Sequence, residues 1–209
     1  MDKKKVIKIV AIIILVLVLI YLIDLGRKVW ILSKYTEKSN EYAKITNFYK
    51  KQNEEGGVTT EFWRKGNLGL LKRTDKDNIK MIYYGADYNW IIVDDKSGKT
   101  AVKVNKEGIG IEAQSLKTGT LDLQNLWDKV KLAFCAKITS EKLNNIDCYK
   151  IHINKDWQIF IDKNDMYVLR EVNGSTDTGF IEYKINEVRD EEVVMPNLAG
   201  YTINDTTQN

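Results

Sequence analysis

The sequence predicts an α+β protein: an N-terminal transmembrane helix, then a large curved antiparallel β-sheet covered by one or two helices. Three observations carry this reading. One long aliphatic run stands near the N-terminus. Beyond residue 40 the chain breaks into short alternating apolar and polar segments. The turns between those segments are too short to hold crossover helices, so neighbouring strands pair antiparallel.

The aliphatic run is Ile9 to Ile23, in which thirteen of fifteen residues are Ile, Val or Leu. Val6, Ile7 and Leu25 extend it to about twenty positions, which at 1.5 Å per helical residue span about 30 Å, the thickness of a bilayer core. Lys8 and Asp24 lie near its ends, where long polar side chains reach the interface. Lys3, Lys4, Lys5 and Lys8 precede the run, and Arg27, Lys28 and Lys34 follow it. That balance places the N-terminus in the cytoplasm and the following domain outside it. No small-x-small cleavage site follows the run, and the first cysteine is Cys135, so the segment reads as an uncleaved signal anchor.

The expected organisation is a cytoplasmic stub (1–5), a transmembrane helix (6–25), an amphipathic connecting helix (26–40), a β-rich domain (41–203) and a disordered tail (204–209). Val29, Trp30, Leu32 and Tyr35 among Lys, Arg and Glu give the connecting helix its amphipathic pattern. Trp30 is either an interfacial anchor or a residue packed on the domain.

Strands are expected near 42–51, 58–65, 68–74, 79–84, 88–94 and 99–104. They are separated by Glu55-Gly56-Gly57, Gly66-Asn67, Asp75-Lys76-Asp77-Asn78, Gly85-Ala86-Asp87 and Asp95-Lys96-Ser97-Gly98. Residues 106–120 read as a loop. A helix follows with Asp122 as its N-cap, and Leu123, Leu126, Trp127 and Val130 form one apolar stripe. A second strand run is expected at 136–142, 146–154, 157–162, 166–172 and 179–188. About eleven strands of this kind curl into an open half-barrel.

Composition excludes several classes. The net charge is +3, and residues 1–25 contribute four Lys against two acids, leaving +1 for the remaining 184 residues (209 − 25). That lacks the basic excess of a dedicated nucleic-acid binder. One Pro excludes Pro-rich linkers, and two Cys exclude a disulfide-dense scaffold or a four-cysteine zinc site. No Walker loop, dinucleotide glycine motif or Gly-x-Ser-x-Gly is present.

Candidate chemistry is sparse. His152, the one histidine, sits between Ile151 and Ile153 with no second ligand or base nearby, and reads as a solvated strand residue. Asp75/Asp77, Asp94/Asp95 and Asp162/Asp165 read as turn carboxylates rather than a calcium loop. Asn173-Gly174-Ser175 and Asn204-Asp205-Thr206 fit the glycosylation sequon, a motif frequent by chance. Cys135 and Cys148 are either a disulfide or two separate buried thiols. No catalytic set, metal site or cofactor site is expected, and the chain reads as non-enzymatic.

The aromatics are more informative: five Trp and eleven Tyr. Tyr88, Trp90 and Ile92 share one strand face, Trp157, Ile159 and Ile161 another, and Met81 and Tyr83 a third. Strands apolar on both sides imply covering layers or a cavity. The residues expected to line such a cavity are Phe62, Met81, Tyr83, Trp90, Ile92, Trp157, Ile159 and Ile161; pure core packing is the other reading.

Phe62-Trp63-Arg64-Lys65-Gly66, Tyr88-Asn89-Trp90-Ile91-Ile92-Val93-Asp94, Cys148-Tyr149-Lys150-Ile151, Trp157-Gln158-Ile159-Phe160-Ile161-Asp162-Lys163 and Val168-Leu169-Arg170-Glu171 together resemble the LolA-like family. The closing Met195-Pro196 and Gly200-Tyr201 loosely match its terminal pattern. The resemblance covers residues 40–203 and rests on strands and turns. The late hairpin departs from it, reading Asn164-Asp165-Met166-Tyr167 where the family has Gly-Leu-Pro. That family comprises extracytoplasmic half-barrels: periplasmic lipoprotein carriers, a related outer-membrane receptor and the sensor domain of an envelope-stress regulator. The resemblance implies a tethered module at the outer face of the cytoplasmic membrane. It would bind a lipid, a lipoprotein or another hydrophobic ligand, or else a protein partner as a sensor domain.

Overall fold

A computed structural model describes residues 3–106, 110, 111, 116, 121 and 123–207. Most of the loop expected at 106–120, and Asp122, lie outside the described residues.

The chain opens with α1 (Lys3–Tyr42), one unbroken helix of 40 residues. It contains the one helix segment, among the described residues, that is long and apolar enough to cross a membrane, with a mean hydropathy of 3.3 over eighteen residues. None of that window is buried in the protein. No separate connecting helix exists at 26–40: the same helix runs on into the domain. Ile31, Leu32, Tyr35, Ser39 and Tyr42 become buried there.

Strands β1 (Asn47–Asn53), β2 (Thr59–Lys65), β3 (Leu68–Asp75), β4 (Asn78–Tyr84), β5 (Asn89–Asp95) and β6 (Gly98–Val104) form an antiparallel meander. Helix α2 (Leu126–Cys135) follows. Then come β7 (Lys137–Leu143), β8 (Ile146–Asn154), β9 (Trp157–Asp162), β10 (Val168–Asn173), β11 (Thr176–Asp177), β12 (Phe180–Ile185) and β13 (Thr202–Asp205).

The strands divide into two open sheets rather than one sheet of about eleven. The eight-stranded sheet has the order β12-β1-β2-β3-β4-β5-β6-β13, and the five-stranded sheet has the order β11-β10-β9-β8-β7. They meet where Thr178 N donates to Glu171 O (3.0 Å) and Glu171 N donates to Thr178 Oγ1 (2.9 Å). Arg170 donates from Nε and Nη2 to the two carboxylate oxygens of Asp177 at the same corner. Gly179 turns the chain here with φ +64, and a Cβ on it would lie 1.4 Å from Asn53 O, so only glycine fits.

Pairing defines two faces for the eight-stranded sheet. The inward face carries Phe48, Phe62, Leu71, Ile82 and Tyr84, joined by Tyr42 of α1 and by Ile111 and Leu116. In the five-stranded sheet, Ile138, Ile151, Ile159, Ile161 and Val168 pack against Ile31, Leu32 and Tyr35 of α1. The second half of α1 therefore fills the space that the sheets enclose.

The C-terminal segment straps the outward face of the eight-stranded sheet. Asn47 clamps Val188 with two hydrogen bonds (3.0 and 3.3 Å), Lys65 pairs with Asp190 (2.8 Å), and the Tyr201 hydroxyl donates to Asp94 (3.3 Å). The strap ends as β13, parallel to β6. Residues 204 and 205, expected in a disordered tail, are thus strand residues.

Helix α2 starts at Asn125, not Asp122. Asn125 Oδ1 accepts from Asp128 N (3.0 Å) and Asp128 accepts from Asn125 N (3.3 Å), a reciprocal capping box.

Candidate functional site

The eight residues expected to line one cavity occupy three places. Phe62 is on the inward face of the eight-stranded sheet, against Phe48 and Tyr84 (ring centroids 5.6 and 6.1 Å). Met81, Tyr83, Trp90 and Ile92 lie on the outward face, where Met81 opposes Ile92 and Tyr83 opposes Trp90. Ile92 and its neighbour Ala101 are fully buried on the face that the strap crosses. Ile159 and Ile161 are sealed beneath α1. Trp157 packs at the edge of that cluster, and its indole donates to buried Glu171 (2.9 Å).

Both cysteines are free thiols in the structure, and they are not two buried ones, since only Cys148 is buried. Cys148 is buried opposite Glu141 and donates to its carbonyl (3.5 Å), whereas Cys135 is exposed at the end of α2. Burial, with help from Glu141, pushes the Cys148 thiol upward, so it resists ionisation. His152 pairs across strands with Lys137 and Gln158, beside an open depression with Lys150 and Glu141. Asp95 and Asp162 accept backbone hydrogens inside their own turns, at 2.8 Å from Ser97 and 2.7 Å from Asn164 and Asp165. Trp30 stands 53 % exposed with Lys34 over its ring, so it does not pack on the domain.

The arrangement best suited to a ligand shares only Phe62 with the expected cavity lining. Register aligns Lys50, Phe62, Leu71, Ile82, Ile91 and Val102 in one row across the inward face, with Tyr183 beside Lys50 at its end. Beyond Phe62 the apolar members of this row are half-buried. Lys50 has no carboxylate within ion-pair distance among the described residues, and desolvation lowers its pKa. The next row places Arg73 beside Lys80, both exposed. These two line a cleft of about 400 Å3 with Asp75, Asn78 and Asp95. Arg73 also reaches Glu54 (3.1 Å).

The opposite end of the same face is closed. Gly69 leaves room for Ile111, whose Cδ1 would stand 2.8 Å from a Cβ there. Only a cleft of about 110 Å3 remains beside Tyr84, Asn89 and Ile111. Between α1 and Leu121, Leu123 and Gln124 the gap is about 60 Å3. The inward face thus grades from a plugged aromatic end, through a half-open aliphatic floor, to a basic mouth. Sequence reasoning missed Lys50, although its spacing from Phe48 in one strand was the available signal.

Fold and face define a class: an α+β domain on a continuous helical stalk, with one sheet face partly open. No family model matches the chain, and no curated protein matches it.

Proposed function

We propose that this protein is a membrane-tethered, extracytoplasmic, non-catalytic binding module for a hydrophobic ligand with an anionic end. The aliphatic floor of β3–β6 takes the apolar part, and Lys50, Arg73 and Lys80 take the charge. The observation that carries this reading is Lys50: an ammonium within an apolar row, with no carboxylate in ion-pair reach among the described residues, costs stability unless something anionic answers it. The apolar first half of α1 and the residues that resemble LolA-like half-barrels support the same reading.

Titration of the full chain in amphipol with the fluorescent fatty acid cis-parinaric acid tests it. Saturable enhancement is expected, and Lys50→Gln weakens it about tenfold, the effect of one charge-assisted hydrogen bond. Parinaric methyl ester binds more weakly than the acid. Equal binding by wild type and Lys50→Gln overturns the reading.

One observation favours a second reading, a protein-interaction or sensor domain. The outward face carries an open groove of about 450 Å3 lined by Tyr49, Trp63, Lys184, Arg189 and Glu192. Crosslinking in membranes that captures one protein partner through Trp63, with no lipid retained, favours this alternative.

A further inference from the structure

Helix α2 presents its apolar stripe the wrong way round for a core helix. Of the expected stripe Leu123, Leu126, Trp127 and Val130, Leu123, which precedes the helix, is buried, and Val130 is half-buried. Leu126 is 64 % and Trp127 65 % exposed, and Phe134, one further turn along, is 54 % exposed. The buried side of α2 holds only Ala133, with Leu132 partly covered by the cluster around α1. A short amphipathic helix rarely leaves its large aromatics in water while burying alanine.

The position of the helix resolves this. Leu121, Leu123 and Gln124 lie beside Tyr35, Thr36 and Ser39 of α1, whereas Phe134 meets the Tyr21 ring (centroids 6.0 Å). Helix α2 therefore runs antiparallel to α1, back toward the apolar run. Tyr21 belongs to that run, which ends at Ile23. Asp24 follows, paired with Arg27 and Lys28 (3.1 Å each), and Arg27 also donates to Ile138 O just after α2 (3.0 Å). Lys131 is exposed on the same side of α2 as Trp127 and Phe134, and Lys137 begins the next strand. Aromatic rings with flanking lysines beside the end of a spanning helix form the composition that suits the headgroup layer.

We propose that α2 is a second membrane contact. Phe134 enters the boundary of the acyl region beside Tyr21, while Trp127 and Trp30 sit among the headgroups, fixing the domain's tilt on its stalk. The occupant of this exposed face is the bilayer that α1 enters, because the face is continuous with the apolar run through the Tyr21–Phe134 contact. The inference rests on α1 spanning that bilayer.

Spin labelling of the full chain in phosphatidylcholine–phosphatidylglycerol vesicles tests it. A nitroxide is placed at Phe134→Cys in a Cys135→Ser background, and separately at Ser97→Cys in the β5–β6 turn in the same background. The expected result is at least a fivefold higher ratio of oxygen to nickel-chelate accessibility at 134 than at 97. A label on native Cys135 gives an intermediate ratio without any substitution. Equal ratios at 134 and 97 in protein that resists alkaline extraction overturn the role of α2 while leaving the anchor intact. Release of the protein by alkaline extraction overturns both the anchor and the α2 contact.

Discussion

The inward faces of the two sheets use similar residues and end with opposite characters. In the five-stranded sheet Ile138, Ile151, Ile159, Ile161 and Val168 are nearly sealed beneath α1. In the eight-stranded sheet Leu71, Ile82, Ile91 and Val102 remain half-buried, and a lysine continues their row beyond Phe62. The cause is the path of one helix. α1 covers the five-stranded sheet with Ile31, Leu32 and Tyr35, but contributes to the core of the other sheet chiefly with Tyr42 at its end. Stability is concentrated where the helix lies, and free surface is left where it does not.

The sharpest test of that contrast pairs two isoleucines. Ile159→Ala opens a cavity in a sealed layer and is expected to cost about 3–4 kcal/mol, whereas Ile91→Ala on the half-open floor costs about 1 kcal/mol. Urea midpoints of the two variants measure the difference. Equal losses would break the comparison.

The corner between the sheets comes next. Gly179→Ala places a methyl group against Asn53 O at positive φ and is expected to cost about 2–3 kcal/mol. Near-UV circular dichroism should show lost packing around Phe180 before the five-stranded sheet unfolds. Unchanged stability would mean that the corner bears no strain.

The strands were legible in the sequence because their turns are chemically explicit. Asp75 to Asn78, Asp95 to Gly98 and Asn144-Asn145 all sit at hairpin ends. Asn144 and Asn145 adopt positive φ there, as asparagine readily does. The helix over 26–40 was legible from its amphipathic pattern, but its extension to Tyr42, where a strand was expected to begin, was not. Ser39-Asn40-Glu41-Tyr42 has weak helix propensity, and tertiary packing of Tyr35, Ser39 and Tyr42 on one face overrides it. The outward turn of α2 was hidden for a different reason: periodicity finds an apolar face but not what covers it. Lys50 escaped because a lone charge in a strand ordinarily marks the solvent side, and here it shares the inward side with Phe48.

A smaller effect tests the polar half of the corner. The Arg170 guanidinium holds the Asp177 carboxyl below the usual carboxylate range, against an opposing push from burial. A depressed carboxylate adds stability that is complete above the unfolded pKa, near 3.9, and is lost as pH falls through the lower folded value. Asp177→Asn should cost about 1–2 kcal/mol at pH 7 and flatten the acid limb of the stability curve. Thermal denaturation between pH 2 and pH 6 checks both.

The smallest change ties stability to the proposed site. Lys50 is a base whose folded pKa lies below its unfolded one, because burial disfavours the ammonium. Between those two values the unfolded chain binds more protons, so stability rises with pH until both forms are neutral. Lys50→Met should therefore gain about 0.5–1 kcal/mol at pH 7 and abolish that alkaline rise. The same variant should lose binding of parinaric acid, since its hydrophobic replacement leaves the floor intact but nothing to meet the charge. A variant that is more stable yet binds less is the signature of a residue kept for a ligand at a cost to the fold. If Lys50→Met is instead destabilised, the ammonium is satisfied within the folded chain, and the open floor of the eight-stranded sheet loses its claim to be the functional face.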